Sequence, residues 1–458
     1  MSSRTAGLLS PDGAPSSRAA LHRVHRHLYE ELGPQRGPAG AGLARARALF
    51  GALGEPQDRF RAVHVAGTAG KGSVSTFVAS LLRAHGFRVG THLSPHVYSL
   101  LERFQIDGEP APAELVDAAL ARIRPAVEAV DQAGHGRPSF FETTNAIAFD
   151  LFADQVDYGV VETGLGGLFD STNTISRADK LGVITPIGLD HQDVLGATLR
   201  EIAAQKAGIL PVGGRAVAAR QRSAEVEDVL STEAARRGCD LRWVDLGPPA
   251  VRAWTRPGGT EPQLRGQPSL SLGLTGQHQA GNAHLALRAV EAIAARDGWS
   301  LDPDAIWLGA RSATLPGRFE RRVIGRRTVV LDGAHNPMKL AALVATLREV
   351  HPGARFPWVL AVKQDKDLEA VVRVIVPTAC LVVATQFVTG DGDHLAGTSV
   401  PAEQIAIAAR QCGVEAVVEE DPQCAVARAA GGAEAGLPVV VSGSFHLLAA
   451  VRPGTTAR

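Results

Sequence analysis

Val63-His64-Val65-Ala66-Gly67-Thr68-Ala69-Gly70-Lys71-Gly72-Ser73 is the stretch on which the fold turns. It begins as a short β-prone run, breaks into glycines, and continues into a segment where Val74, Phe77, Val78, Leu81 and Leu82 recur at helical spacing. Strand, glycine-rich turn and helix in that order open a parallel sheet covered by helices. Such a turn aims several backbone N–H groups and a helix N-terminus at one spot, a site for phosphate. Lys71 would neutralise the terminal phosphates, and Ser73 offers a hydroxyl beside them. The glycine interval is shorter than in GxxxxGK[ST], and the hydroxyl lies two places after the lysine.

Outward from this loop, short apolar runs alternate with longer helix-period segments. Strands are expected at 62–66, 88–91, 158–162, 181–186 and 215–218, with helices at 73–85, 113–132, 142–154, 198–209 and 224–237. The stretch 243–275, rich in Pro, Gly and polar residues, predicts a small antiparallel sheet at the edge. A helix over 282–295 closes this unit, and Thr314-Leu315-Pro316-Gly317 is the linker. A second series follows, with strands near 328–332, 358–362, 380–384, 415–418 and 438–442. The expected class is α/β: a doubly wound, mostly parallel phosphate-loop sheet over 21–310, then a smaller Rossmann-like unit over 311–458, after a disordered tail at 1–20.

A chain of 458 residues exceeds what one core organises. Lys plus Arg and Asp plus Glu both number 47, so no net field draws the chain to nucleic acid or an anionic membrane. Bound anions must be held locally. Cys239, Cys380, Cys412 and Cys424 have no CxxC or metal spacing, which fits a reducing compartment. With no apolar signal segment and no run approaching the ~18 apolar residues of a membrane span, a cytoplasmic location is expected.

Glu162 stands at the carboxyl end of a predicted strand and runs into Thr163-Gly164-Leu165-Gly166-Gly167, the position of a residue that reaches a metal at a nucleotide. The next strand runs into Asp190-His191-Gln192-Asp193, and parallel strands bring both ends to one rim. His191 beside Glu162 is therefore a candidate ligand. Lys206 lies among small apolar residues, poorly placed to stay in water. An ammonium cannot bind Mg²⁺, but a neutral amine that has taken up CO₂ becomes a carbamate with anionic oxygens. Lys206 is expected to be carbamylated and to help fix a second Mg²⁺.

In the second unit, Asp332 ends a predicted strand where a carboxylate could accept hydrogen bonds from a ribose, and His335 and Asn336 follow it into the same cleft. Arg318, beside the linker, is a rigid cation of the kind that stabilises phosphoryl charge from a second domain.

Together these residues resemble the folylpolyglutamate synthase / dihydrofolate synthase family of Mur-type ligases, in which the loop takes the form GTxGKGS. The likeness also rests on Leu93-Ser94-Pro95-His96, Glu102-Arg103-Phe104, Ser139-Phe140-Phe141-Glu142, Glu162 through Asn173, Lys206-Ala207-Gly208-Ile209, Gly276-Gln277-His278-Gln279 with Asn282-Ala283, Pro316-Gly317-Arg318-Phe319, and Asp332 through Asn336. The resemblance implies ATP phosphates on Gly70, Lys71, Gly72 and Ser73, with Asn282, Arg318 and Asp332 completing the nucleotide site. It implies magnesium on Ser94, Glu162 and His191, with Lys206 as the carbamylated lysine. Phe140, Phe141, Glu142 and Phe169 match the region lining the pterin site. Lys71, Lys206 and His335 are the candidate catalytic residues.

The implied reaction transfers the γ-phosphoryl group of ATP to a carboxylate, and L-glutamate then attacks the acyl phosphate. The implied substrates are a folate or dihydropteroate and L-glutamate, handled by a monomer. Ala69 stands where the family commonly has Asn, Leu168-Phe169 where Arg-Leu is common, Gln205 for a frequent Glu and His446 for the usual Tyr. The Leu168 departure, beside the expected acceptor, is the motive for a second reading: the same chemistry on a non-folate acid. A phosphate-loop switch or motor is the rival from another class, and it leaves His191, Lys206 and the second unit unexplained.

Overall fold

The first sheet contains β1 (Arg61–Ala66), β2 (Val89–His92), β3 (Phe104–Ile106), β4 (Glu109–Pro110), β5 (Tyr158–Glu162), β6 (Leu181–Ile184), β7 (Arg215–Ala219) and β8 (Asp240–Val244). Their order is β4-β3-β2-β5-β1-β6-β7-β8, with β1 paired in parallel to both β5 and β6. The alternation of β1 explains its central place. Val63 and Val65 pack with Phe77, Leu81 and Val290 on one face, while Ala62 packs with Phe60, Phe149 and Phe152 on the other. A parallel strand apolar on both faces needs helices on both. Lys71–Ala84 and Gln277–Asp297 supply one layer, Ala113–Val130 and Phe140–Phe152 the other.

The second sheet contains β9 (Glu320–Ile324), β10 (Arg327–Asp332), β11 (Phe356–Leu360), β12 (Ala379–Ala384), β13 (Ala416–Val418) and β14 (Val439–Ser442), in the order β13-β12-β11-β14-β10-β9. All its pairings are parallel except β9 with β10. Trp358 and Leu360 face one buried cluster and Val359 the other, so this sheet too is covered on both sides. The computed structural model describes residues 15–32, 41–247, 272–325, 327–387, 398–432, 434 and 436–451. No described helix is long and apolar enough to cross a membrane.

Several expectations are corrected. Residues 15–20 of the expected tail belong to the helix Pro15–His25, with Ala20 buried; residues 1–14 lie outside the described part. The antiparallel edge expected over 243–275 is not there in its described portion, because β8 pairs in parallel with β7; residues 248–271 lie outside the described part. Among the described residues, the antiparallel strands are β3 and β4 at the opposite edge, and β9. The helix expected over 142–154 is Phe140–Phe152. Ser139 and Glu142 form a reciprocal capping box that fixes its start.

Candidate active site

The turn after β1 is fastened from below and from above. The Thr68 and Ala69 N–H groups donate to the Pro186 carbonyl at 3.0 and 3.2 Å, which ties the loop to the segment following β6. Gly70 caps the helix Lys71–Ala84 at φ 88°, a left-handed conformation that favours glycine. A Cβ there would lie 2.6 Å from Asn282 Oδ1, so the absent side chain also lets Asn282 settle against the loop. Asn282 is aimed by its Nδ2, which donates to Gln279 Oε1 at 2.9 Å. Gly72 and the buried Ser73 open the helix.

At the mouth of this loop, Lys71 Nζ lies 3.6 Å from Glu162 Oε1, and the Ser94 N–H donates to Glu162 Oε2 at 3.2 Å. Burial raises the Glu162 carboxyl above its ordinary range, against the pull of Lys71. Lys206, 4% exposed, donates from Nζ to the Gly67 carbonyl at 2.9 Å. Burial pushes its ammonium down to about 7, and the nearby Lys71 adds to the shift. His191 sits at φ 52° before the short helix Gln192–Leu195, and desolvation holds its imidazole below the usual range against Asp190. A neutral imidazole keeps a nitrogen lone pair for a metal. Among the described residues, no three His, Cys, Asp or Glu side chains gather into a metal-holding group.

The second sheet presents the opposite wall. Asp332 Oδ2 accepts the Phe319 N–H at 2.8 Å and Oδ1 accepts the Ala334 N–H at 2.9 Å, which fixes the linker turn and leaves a lone pair on each oxygen. Arg318 lies over the Phe445 ring at 4.7 Å, and a Cβ on Gly72 would come within 4.0 Å of its Nη2. This guanidinium therefore reaches the phosphate loop from the linker. His335 Nδ1 lies 2.8 Å from the Gly333 carbonyl and Nε2 lies 3.0 Å from Lys339 Nζ. Burial drives His335 well below its ordinary range.

The two walls meet at Asp190. Its carboxylate takes Asn336 Nδ2 at 2.8 Å, Lys366 Nζ at 3.0 Å and Lys339 Nζ at 3.5 Å, all from the second unit. Desolvation opposes its ionisation, but Lys339 and its neighbours outweigh that and hold Asp190 well below the ordinary carboxylate range. Sequence reasoning missed Lys339 and Lys366. Neither lies in a motif, and only the meeting of the two units brings them to Asp190.

The four residues matched to the acceptor region are placed differently from one another. Phe140 is 7% exposed, between Tyr29 at 5.0 Å and the Arg103 guanidinium at 5.2 Å. Glu142 is buried in a forked pair with Arg45, at 2.7 and 2.8 Å. Both therefore anchor the start of their helix. Phe141 lies against Gly164, whose missing side chain makes room for the ring, and Phe169 is 44% exposed.

Comparison with known proteins agrees with this geometry. Residues 317–445 match the Mur ligase, glutamate ligase domain family. A dihydrofolate synthase/folylpolyglutamate synthase of Mycobacterium tuberculosis is 39% identical over 391 residues, covering 81% of this chain and 79% of that protein. The Bacillus subtilis protein of the same name is 35% identical, covering 72% and 78%. Among solved structures, M. tuberculosis folylpolyglutamate synthase complexed with ADP superposes with a TM-score of 0.82 at 33% identity, covering 96% of this chain and all of that one. E. coli FolC in complex with DHPP and ADP gives 0.76 at 26% identity, covering 95% and 97%. With a phosphate loop, a facing second sheet and relatives alike over most of their length, the chain belongs to the folylpolyglutamate synthase / dihydrofolate synthase family of Mur-type ligases.

Proposed function

We propose that the cleft between the two sheets joins L-glutamate to a pterin-bearing carboxylic acid at the cost of ATP, with the residues above in the following roles. The reading is carried by one juxtaposition: Lys71, Glu162 and Lys206 all converge on a single phosphate loop. Backbone N–H groups at Gly70 and Gly72, with Ser73, hold the ATP phosphates, and Lys71 balances their charge. Asn282 and Asp332 flank the nucleotide, and Arg318 adds a cation from the linker. The substrate carboxylate oxygen attacks the terminal phosphorus, the bond to the β-bridging oxygen breaks, and ADP leaves. The amine of L-glutamate then attacks the acyl carbon, expelling phosphate and giving up a proton. Closure of the walls through Asp190 keeps water from the acyl phosphate.

Glu162, His191 and Ser94 offer two oxygens and a nitrogen that fit a magnesium ion. When bound, the ion spreads charge on the transferred phosphoryl group. Lys206 fits carbamylation because burial favours the neutral amine that CO₂ requires. Its carbamate would lie beside the Gly67 carbonyl and so near the loop. Phe141 and Phe169 are the aromatic residues offered to the pterin.

The route is tested with oxygen-18 in the carboxylate of the pterin acid. Label appearing in inorganic phosphate is the expected result, and unlabelled phosphate beside a glutamylated product would overturn the acyl phosphate. A second reading, a non-folate acid, is favoured by one observation: the Leu168 position offers no cation, and its backbone is tied to the Gln205 carbonyl at 2.6 Å.

A further inference from the structure

Asp190 has more cationic partners than one carboxylate needs. Lys366, only 9% exposed at its side chain, pairs with it at 3.0 Å and with Asp365 at 3.3 Å. Asn336 fills a place on Oδ2 at 2.8 Å, and the His191 N–H donates to Oδ1 at 3.1 Å. Lys339 is more distant at 3.5 Å, and its shorter contact, 3.0 Å, is with His335 Nε2. That ring is not an anion. Its Nδ1 faces the Gly333 carbonyl, so the proton sits there and Nε2 accepts from the ammonium. His335 therefore orients Lys339 without neutralising it. An ammonium has three donors; two are accounted for, and the side chain is 25% exposed. The cleft thus holds an aimed and reachable ammonium with one donor open, on the wall opposite the phosphate loop.

We infer that Lys339 holds a carboxylate of the incoming amino acid and is a specificity-determining residue for the amine substrate. The inference rests on the glutamate-ligase reading above. Lys71 and Arg318 already serve the phosphates. Lys339 stands within residues 317–445, which match the glutamate ligase domain family, and L-glutamate carries anionic groups that need a partner in the cleft. In a desolvated cleft, a charge-assisted hydrogen bond discriminates strongly against a ligand that lacks the group.

The test compares wild type, Lys339→Met, Lys339→Gln and Lys339→Arg at saturating ATP and pterin acid, with L-glutamate varied. Two analogues, 4-aminobutyrate and L-2-aminobutyrate, each lack one carboxylate. Lys339→Met and Lys339→Gln are expected to raise KM for L-glutamate about 10- to 100-fold with KM for ATP unchanged, and Lys339→Arg to recover most of the loss. Wild type should lose a similar factor with one analogue, which identifies the carboxylate, and Lys339→Met should show no preference between glutamate and that analogue. An unchanged KM for glutamate, or a fall in kcat alone, would overturn the inference while leaving the ligase reading intact. A wild-type enzyme that never consumes glutamate would overturn the ligase reading and the inference together.

Discussion

Lys206 Nζ and the carbonyl oxygen of Gly67 lie 2.9 Å apart, so the buried amine is anchored to the first glycine of the phosphate loop. The contact joins a buried lysine to the turn proposed to hold the nucleotide phosphates.

One consequence is a pH-dependent stability. Burial lowers the Lys206 pKa from 10.5 to about 7, so between these values the unfolded chain binds the extra proton. The stability contribution is full above the unfolded value and is lost as pH falls through about 7. Lys206→Met carries no charge to bury. In CO₂-free buffer its melting temperature relative to wild type should be higher at pH 6 than at pH 9. An offset independent of pH would show that the amine is not held neutral.

The same amine should react with CO₂. Native mass analysis in bicarbonate-equilibrated buffer is expected to find the Lys206 peptide heavier by one CO₂. Lys206→Ala should lose turnover about 10²-fold or more, in line with removing a group that stabilises developing charge. An unmodified peptide from fully active enzyme would sink the proposal.

Lys71→Ala should cut turnover by about 10²- to 10³-fold without unfolding the chain. Lys71 is partly exposed and faces Glu162 at 3.6 Å, so its loss removes a cation from the loop rather than a piece of the core. Near-normal kcat at ordinary ATP, with an unchanged melting temperature, would refute the assigned role.

Asp190→Asn should loosen the two walls. It leaves Lys366 and Lys339 without their common anion, in a place where burial makes unpaired charge costly. Small-angle scattering is expected to show a larger radius of gyration, and kcat to fall at least about tenfold. Because Asp190 is held well below 3.8, the wild-type link is full above that pH and persists to pH 4. Opening of wild type near pH 5 would contradict this.

Glu142 offers a contrast, because its pairing with Arg45 is internal. Glu142→Ala should cost about 3–5 kcal/mol of stability by stranding a buried guanidinium, measured by denaturant titration. A small stability change with a large rise in KM for the acid would return Glu142 to the substrate site.

Much of the architecture was legible because it rests on local signals. The apolar run of β1, the glycines after it and the helical spacing from Val74 all lie in one short stretch. β3, β4 and β9 escaped because two- to five-residue strands leave little periodicity to read. Glu162 and His191 were readable as residues at strand ends. The pairing of Glu142 was not readable for the opposite reason: its partner Arg45 is 97 residues away, and the sequence carries no sign of it. Lys339 and Lys366 were invisible because Asp190, which gives them meaning, lies across the cleft.

The most direct test of the central claim is product formation by the purified protein with Mg-ATP, L-glutamate and either 7,8-dihydropteroate or tetrahydrofolate, followed by mass spectrometry. The account predicts phosphate release that requires both the pterin acid and glutamate, with a product heavier by one glutamyl unit. ATP binding with neither pterin acid glutamylated would contradict it and turn attention to the acid that Leu168 and Phe169 accept.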